Sequence, residues 1–136
     1  MKLLIIHKGN RDVCDVLVNS KSKNDTAIVC FLAEQPKETS KSAKGVRSLF
    51  KRYASLGRNG LTASLFHEVD KNDKIWEFIK GKLRILCFID GRKIILTNGY
   101  IKKTPKVAQS AVKKAVSVRD NYHKAKKEGK LEVTEK

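Results

Sequence analysis

Residues 64–99 constrain the fold more than any other stretch. Four β-rich runs, "SLFHEV", "KIWEFIK", "KLRILCFI" and "RKIILTN", follow one another with only "DKND", "GK" and "DG" between them. Links this short join antiparallel neighbours, because a parallel crossover needs roughly a dozen residues or more. Asp90-Gly91 is a strong two-residue hairpin signal. The chain is therefore expected to contain an antiparallel meander of about four strands. "KLRILCFI" and "KIILT" are apolar on both alternations, which places them centrally, with helices over at least one face.

The segments before the meander change period. "KLLII" (2–6) reads as a first strand and "HKGN" as a turn, while "VCDVLV" (13–18) reads as a second short strand or an irregular return. "NSKSKND" (19–25) is polar punctuation and reads as a loop. Asp25 or Thr26 is placed to cap a short helix over "AIVCFLAEQ", which Pro36 ends. From Lys37 to Leu56, Val46, Leu49, Phe50, Tyr53 and Leu56 recur at three- and four-residue steps and make one apolar helix face, with Gly57 as its C-terminal cap. Lys37, Lys41, Lys44, Arg47 and Lys51 recur on a different face, and Glu38 is the one acid between Lys37 and Gly57.

After the meander, "NGYIKKTPK" (98–106) leads out of the last strand. Thr104 and Pro105 read as an N-cap and first-turn pair. The helix they start runs to about Lys127, with Val107, Ala111, Val112, Ala115, Val118 and Tyr122 as its apolar stripe. Gly129 ends it, and residues 128–136 read as a frayed tail. With no repeat and no boundary signal, residues 1–136 read as a single α+β domain: strand or strands, two helices, a meander and a C-terminal helix.

Charge limits the partners. Thirty Lys and Arg against fourteen Asp and Glu give a net charge of +16, which attracts polyanions and says nothing about fold. Cys14, Cys30 and Cys87 are odd in number, lack a C-x-x-C pair and read as small core residues of a reducing, cytoplasmic compartment. His7, His67 and His123 have no metal-ligand spacing, so neither metal nor cofactor is expected. The opening apolar run is too short for a signal peptide or a membrane span. No nucleophile elbow or phosphate-binding glycine loop occurs. Any catalysis would then work mainly through cations. Arg84 is the most informative of these: alternation puts it with Lys82, Leu86 and Phe88, in a strand whose later part is apolar on both faces. It either snorkels or pairs with Glu77, or it clamps a phosphate. Lys80, Lys102 and Lys103 leave strand ends that an antiparallel meander can bring near Arg84, and Trp76 and Tyr100 are candidates for stacking on bases.

Taken in order, "IWEFIKGKLRILCFIDGRKIILTNGYIKKTPK" and the following helix with Ala115 and Arg119 resemble the HigB-like, phage-derived branch of the RelE/ParE toxin superfamily. Trp76-Glu77, Arg84, Gly99-Tyr100 and Lys102-Lys103 carry the resemblance, which spans roughly residues 26–125. It implies a RelE-like α+β toxin of a type II toxin–antitoxin pair, with a cognate antitoxin, often a helix-turn-helix protein, as partner. It also implies cleavage of mRNA on the ribosome, in which the 2′-hydroxyl attacks the scissile phosphate and basic residues stabilise the charge. Arg84, Lys102, Lys103 and Lys80 match the catalytic cations. Lys44, Arg47, Lys51, Arg52, Arg58 and Lys106 are then the expected contacts to RNA and ribosome. The alternatives are a ParE-like gyrase inhibitor and a basic RNA-binding module. Ile79 stands where relatives commonly carry a base, no C-terminal catalytic tyrosine matches, and residues 1–25, longer than a single family strand, read as an atypical N-terminal extension.

Overall fold

The expected four-stranded meander is present and forms one side of a larger sheet. In the computed structural model, which describes residues 1–18 and 25–135, β3 (Phe66–Asp70), β4 (Ile75–Lys80), β5 (Leu83–Asp90) and β6 (Lys93–Ile101) pair antiparallel in sequence order. The stretch 19–24, read as a loop, lies outside the described residues. Gly81 (φ +55°) and Gly91 (φ +61°) supply the left-handed backbone of the two tight turns. The second turn sits one residue later than "DG" suggests, because Asp90 still pairs with Lys93.

Three strands extend the sheet beyond four. β1 (Lys2–His7) and β2 (Asp12–Val16) form an antiparallel pair, β2 lies parallel to β6, and β7 (Glu132–Glu135) lies parallel to β1. The order is β3-β4-β5-β6-β2-β1-β7, a mixed seven-stranded sheet. The N-terminal residues are thus integral to the sheet. The C-terminal run expected to fray is instead an edge strand, tied by Lys2–Glu132 and Lys8–Glu135 ion pairs.

Helices cover both faces, which explains the doubly apolar central strands. On one face α1 (Ala27–Ala33) and α2 (Lys37–Leu56) pack Ile28, Leu32, Val46, Leu49, Phe50 and Tyr53 on Phe78, Ile85, Cys87 and Leu96. On the other, α3 (Gln109–Lys127) packs Ala111, Ala115 and Tyr122 on Leu3, Cys14, Leu86, Phe88 and Ile95. Each large side chain so buried contributes about 1.5–3 kcal/mol relative to exposure. Leu56, assigned by spacing to the apolar face, is 63% exposed at the end of α2. Gly57 (φ +68°) ends that helix and donates its amide to the Tyr53 carbonyl.

Neither Asp25 nor a Thr26 side-chain cap starts α1. Asp15 reaches across from β2, and its fully buried carboxylate accepts from the amides of Val16, Ile28 and Val29. Burial pushes the Asp15 carboxyl up from its usual range, and these hydrogen bonds oppose the rise. Thr104-Pro105 likewise does not start α3, which begins at Gln109 after a bend through 104–106. At the far end of α3, Tyr122 and Lys126 donate to Asp90 and hold its carboxyl below the usual range.

Candidate active site

Arg84 occupies the second position of β5, opposite Ile79 of β4 and Tyr100 of β6. Leu86, two residues on, packs under α3, so Arg84 projects from the α3 face of the sheet. Its side chain is only 12% exposed. Nη1 donates to the carbonyls of Gly81 (2.7 Å) and Leu83 (2.9 Å), which fixes the guanidinium against the β4–β5 turn. Nε is buried and 3.9 Å from Glu77 Oε1, too far for a hydrogen bond. Neither solvent snorkelling nor a full pairing with Glu77 describes this residue.

Glu77 is itself almost completely buried. Its Oε1 lies 3.1 Å from Nε2 of His67, its opposite number on β3, while Oε2 is buried with no hydrogen-bond partner among the described residues. The other nitrogen of His67 lies 3.1 Å from the Ala63 carbonyl, so both ring nitrogens are held while 43% of the side chain stays accessible. Buried polar atoms without partners cost about 1–3 kcal/mol each. Two of them, Arg84 Nε and Glu77 Oε2, mark this cluster as one that packing alone does not explain.

A bulge completes the cluster. Leu86 pairs with Asn98 but Cys87 pairs with Leu96, so Thr97 is an extra residue in β6. Strict alternation would put Tyr100 on the face of Ile94 and Leu96, under α1 and α2. The bulge turns Asn98 and Tyr100 to the α3 face instead, where Asn98 Nδ2 donates to the Ala111 carbonyl (3.1 Å). Burial, with the Glu77 charge, pushes the Tyr100 hydroxyl up, and a backbone hydrogen bond from Ala108 opposes it. Gly99 then faces α1, where any Cβ would lie 2.6 Å from the Phe31 ring.

The candidate cations do not all converge. The Lys102 amide donates to the Lys82 carbonyl (2.7 Å), so the ladder continues one rung past Ile101 and Lys102 takes the parity of Tyr100 and Arg84. Lys103 and Lys106 are exposed in the loop that follows. Lys80 pairs with Leu83 and lies on the opposite face, where its stem crosses α2 at Gly45, 2.7 Å from where a Cβ would sit. Trp76 is also on that face. Phe66 stacks on it at 5.1 Å and the Arg58 guanidinium lies 4.9 Å from its centroid, so its ring is already engaged and it offers no free stacking platform. Lys44, Arg47, Lys51 and Arg52 are exposed along α2, and Lys80 adds its charge to the same surface.

The sequence marks Glu77 as a partner for Arg84 and as part of the Trp76-Glu77 pair that carries the resemblance, and His67 only as a residue without metal-ligand spacing; neither has a role in the site on sequence alone. The available signal was their position in adjacent strands of a legible meander, where a His and a Glu can stand directly opposite. Arg119, on α3, donates to the Asp73 carbonyl and pairs with the Asp73 and Asp120 carboxylates, which tethers the helix to the β3–β4 turn.

The model of the family "Phage derived protein Gp49-like (DUF891)" matches residues 31–119. That is more than half of the 136 residues, and the chain belongs to this family, which is a RelE-type, toxin-like one. No curated protein matches the chain. The matched run starts within α1 and ends within α3, so β1, β2 and β7 lie outside it. No helix among the described residues is long and apolar enough to cross a membrane.

Proposed function

We propose that this protein is the toxin of a type II toxin–antitoxin pair, acting in the cytoplasm as a ribosome-dependent endoribonuclease that a cognate antitoxin neutralises. One observation carries the reading: Arg84, fixed in the sheet, shares a face with an accessible imidazole held by a buried carboxylate. RNA cleavage by internal attack needs little else. The 2′-oxygen forms a bond to the adjacent phosphorus and loses its proton. The 5′-oxygen leaves and gains one, giving a 2′,3′-cyclic phosphate and a 5′-hydroxyl. In this scheme Arg84, with Lys102 and then Lys103, stabilises the charge that develops on the phosphoryl oxygens. His67 moves the proton through Nδ1, which exchanges its Ala63 carbonyl contact for the substrate, while Glu77 orients the ring through Nε2. Tyr100 borders the scissile nucleotide. Lys80 belongs with Lys44, Arg47, Lys51 and Arg52 to a basic surface that rides on ribosomal RNA.

The test is the mapping of mRNA ends in a purified translating system given the wild-type protein. Cuts within codons, dependent on ribosomes and blocked by the product of the neighbouring gene, are expected. Intact mRNA, with supercoiling by gyrase inhibited instead, would transfer the protein to a non-catalytic class.

A further inference from the structure

A second cationic feature lies at the other end of the sheet, on the opposite face. A cleft of about 320 Å³ opens between the C-terminal end of α2 and the β5–β6 turn, lined by Arg11, Tyr53, Leu56, Arg58, Asn59 and Ile89. It is separated from Arg84 by most of the length of β5, because Ile89 and Gly91 border it.

The cleft is built of fixed parts. The β1–β2 turn is clipped to α2 by the Arg11 amide on the Ala54 carbonyl (3.0 Å) and by Asn10 Nδ2 on the Ser55 carbonyl (2.8 Å). Arg92 holds the same turn through the Gly9 carbonyl (3.1 Å). The Arg11 side chain runs past Gly57, whose missing Cβ would come within 3.7 Å of it. Arg58 is seated over Trp76. Tyr53, on the cleft wall, is 2% exposed, its ring is locked by Phe66 and Phe78, and its hydroxyl is its one polar side-chain group. Both guanidiniums lie near enough to oppose the upward push of burial on that hydroxyl, which stands at about 12 and so keeps its proton.

We propose that this cleft binds one nucleotide of single-stranded RNA, its phosphate between Arg11 and Arg58 with Tyr53 donating a hydrogen bond, and its base against Leu56 and Ile89 with Asn59 at its edge. Two guanidiniums and a hydroxyl match a phosphate monoanion, and the apolar wall matches an unstacked base. The choice of RNA rests on the endonuclease reading above. The site then anchors the strand at a distance from the scissile phosphate.

Trp76 is the chain's single tryptophan, so its emission reports on Arg58 directly. Titration of an Arg84→Ala protein with a hexanucleotide RNA is expected to give a saturable change in Trp76 fluorescence. Tyr53→Phe should weaken it roughly fivefold to tenfold, the loss of one hydrogen bond, and Arg11→Ala about tenfold to a hundredfold. Inorganic phosphate, which lacks the base, should bind more weakly. Identical curves for the parent and both variants, or saturation by inorganic phosphate at the same concentration, would each overturn the proposal. Persistent mRNA cleavage by an otherwise wild-type Arg11→Ala protein would leave the endonuclease reading standing if the cleft fails.

Discussion

His67 and Arg84, seventeen positions apart, converge on one oxygen of Glu77: Nε2 of His67 lies 3.1 Å from Oε1, and Nε of Arg84 lies 3.9 Å from it. A buried carboxylate between an imidazole and a guanidinium sets their spacing and offsets the charge of the guanidinium. His67→Ala should therefore lower mRNA cleavage by about 10²-fold, as loss of a proton-transfer group does. Glu77→Gln should lower it less, because the amide oxygen still meets the ring. Cleavage rates in a purified translation system measure both, and equal activity of His67→Ala and wild type would remove the imidazole from the chemistry.

Gly99 has a steric reason to be glycine. A methyl group there would stand 2.6 Å from the Phe31 ring and 2.9 Å from Ile85 Cδ1. Gly99→Ala is expected to destabilise the fold by about 1–3 kcal/mol, the usual cost of overpacking. Urea unfolding followed by circular dichroism gives the value directly.

Asp15 links β2 to the start of α1, and its removal leaves three amides without their acceptor. Asp15→Ala should cost about 2–4 kcal/mol. The pH dependence has a definite sign. The folded carboxyl is raised above 3.8, so between that value and the raised one the folded state binds more protons than the unfolded. This group's contribution therefore falls as pH rises through that window. Asp15→Asn should flatten that part of a stability–pH profile measured from about pH 3 to 7.

The basic face of α2 should be separable from stability. Lys44→Glu, Arg47→Glu and Lys51→Glu together alter exposed side chains only, where each substitution usually changes stability by less than about 0.5 kcal/mol. Ribosome association is expected to weaken about tenfold or more and to lose much of its salt dependence. Sedimentation with ribosomes at two ionic strengths checks this.

Local signals were readable where periodicity decides structure. The bounds of α2, the meander and the turn at Gly81 follow from spacing and glycine chemistry, and Arg84 stood out as a charge in an apolar strand. Three features depended on contacts distant in sequence. The parallel pairings β2–β6 and β1–β7 have no local signature, so three strands were missing from the expected sheet. The start of α3 is set by Asn98 on Ala111 and by the Ala108 contact to Tyr100, which outweigh the Thr-Pro signal at 104–105. Above all, one bulge residue, Thr97, decides that Tyr100 and the strand leading to Lys102 share the face of Arg84. Lys80 fails to join them for the simplest reason, since four residues and a two-residue turn place it across the sheet.

Arg84→Ala tests the central claim most directly. The substitution leaves Glu77 bonded to His67 but takes away its neighbouring guanidinium and the donor to the Gly81 and Leu83 carbonyls, so circular dichroism of the variant accompanies the assay. The variant should fold, bind ribosomes as wild type does, and leave mRNA uncut in a translating system, with Arg84→Lys restoring little because a point charge does not match the fork. A folded Arg84→Ala protein that still cuts mRNA at the wild-type rate would contradict the assignment of this sheet face as the active site.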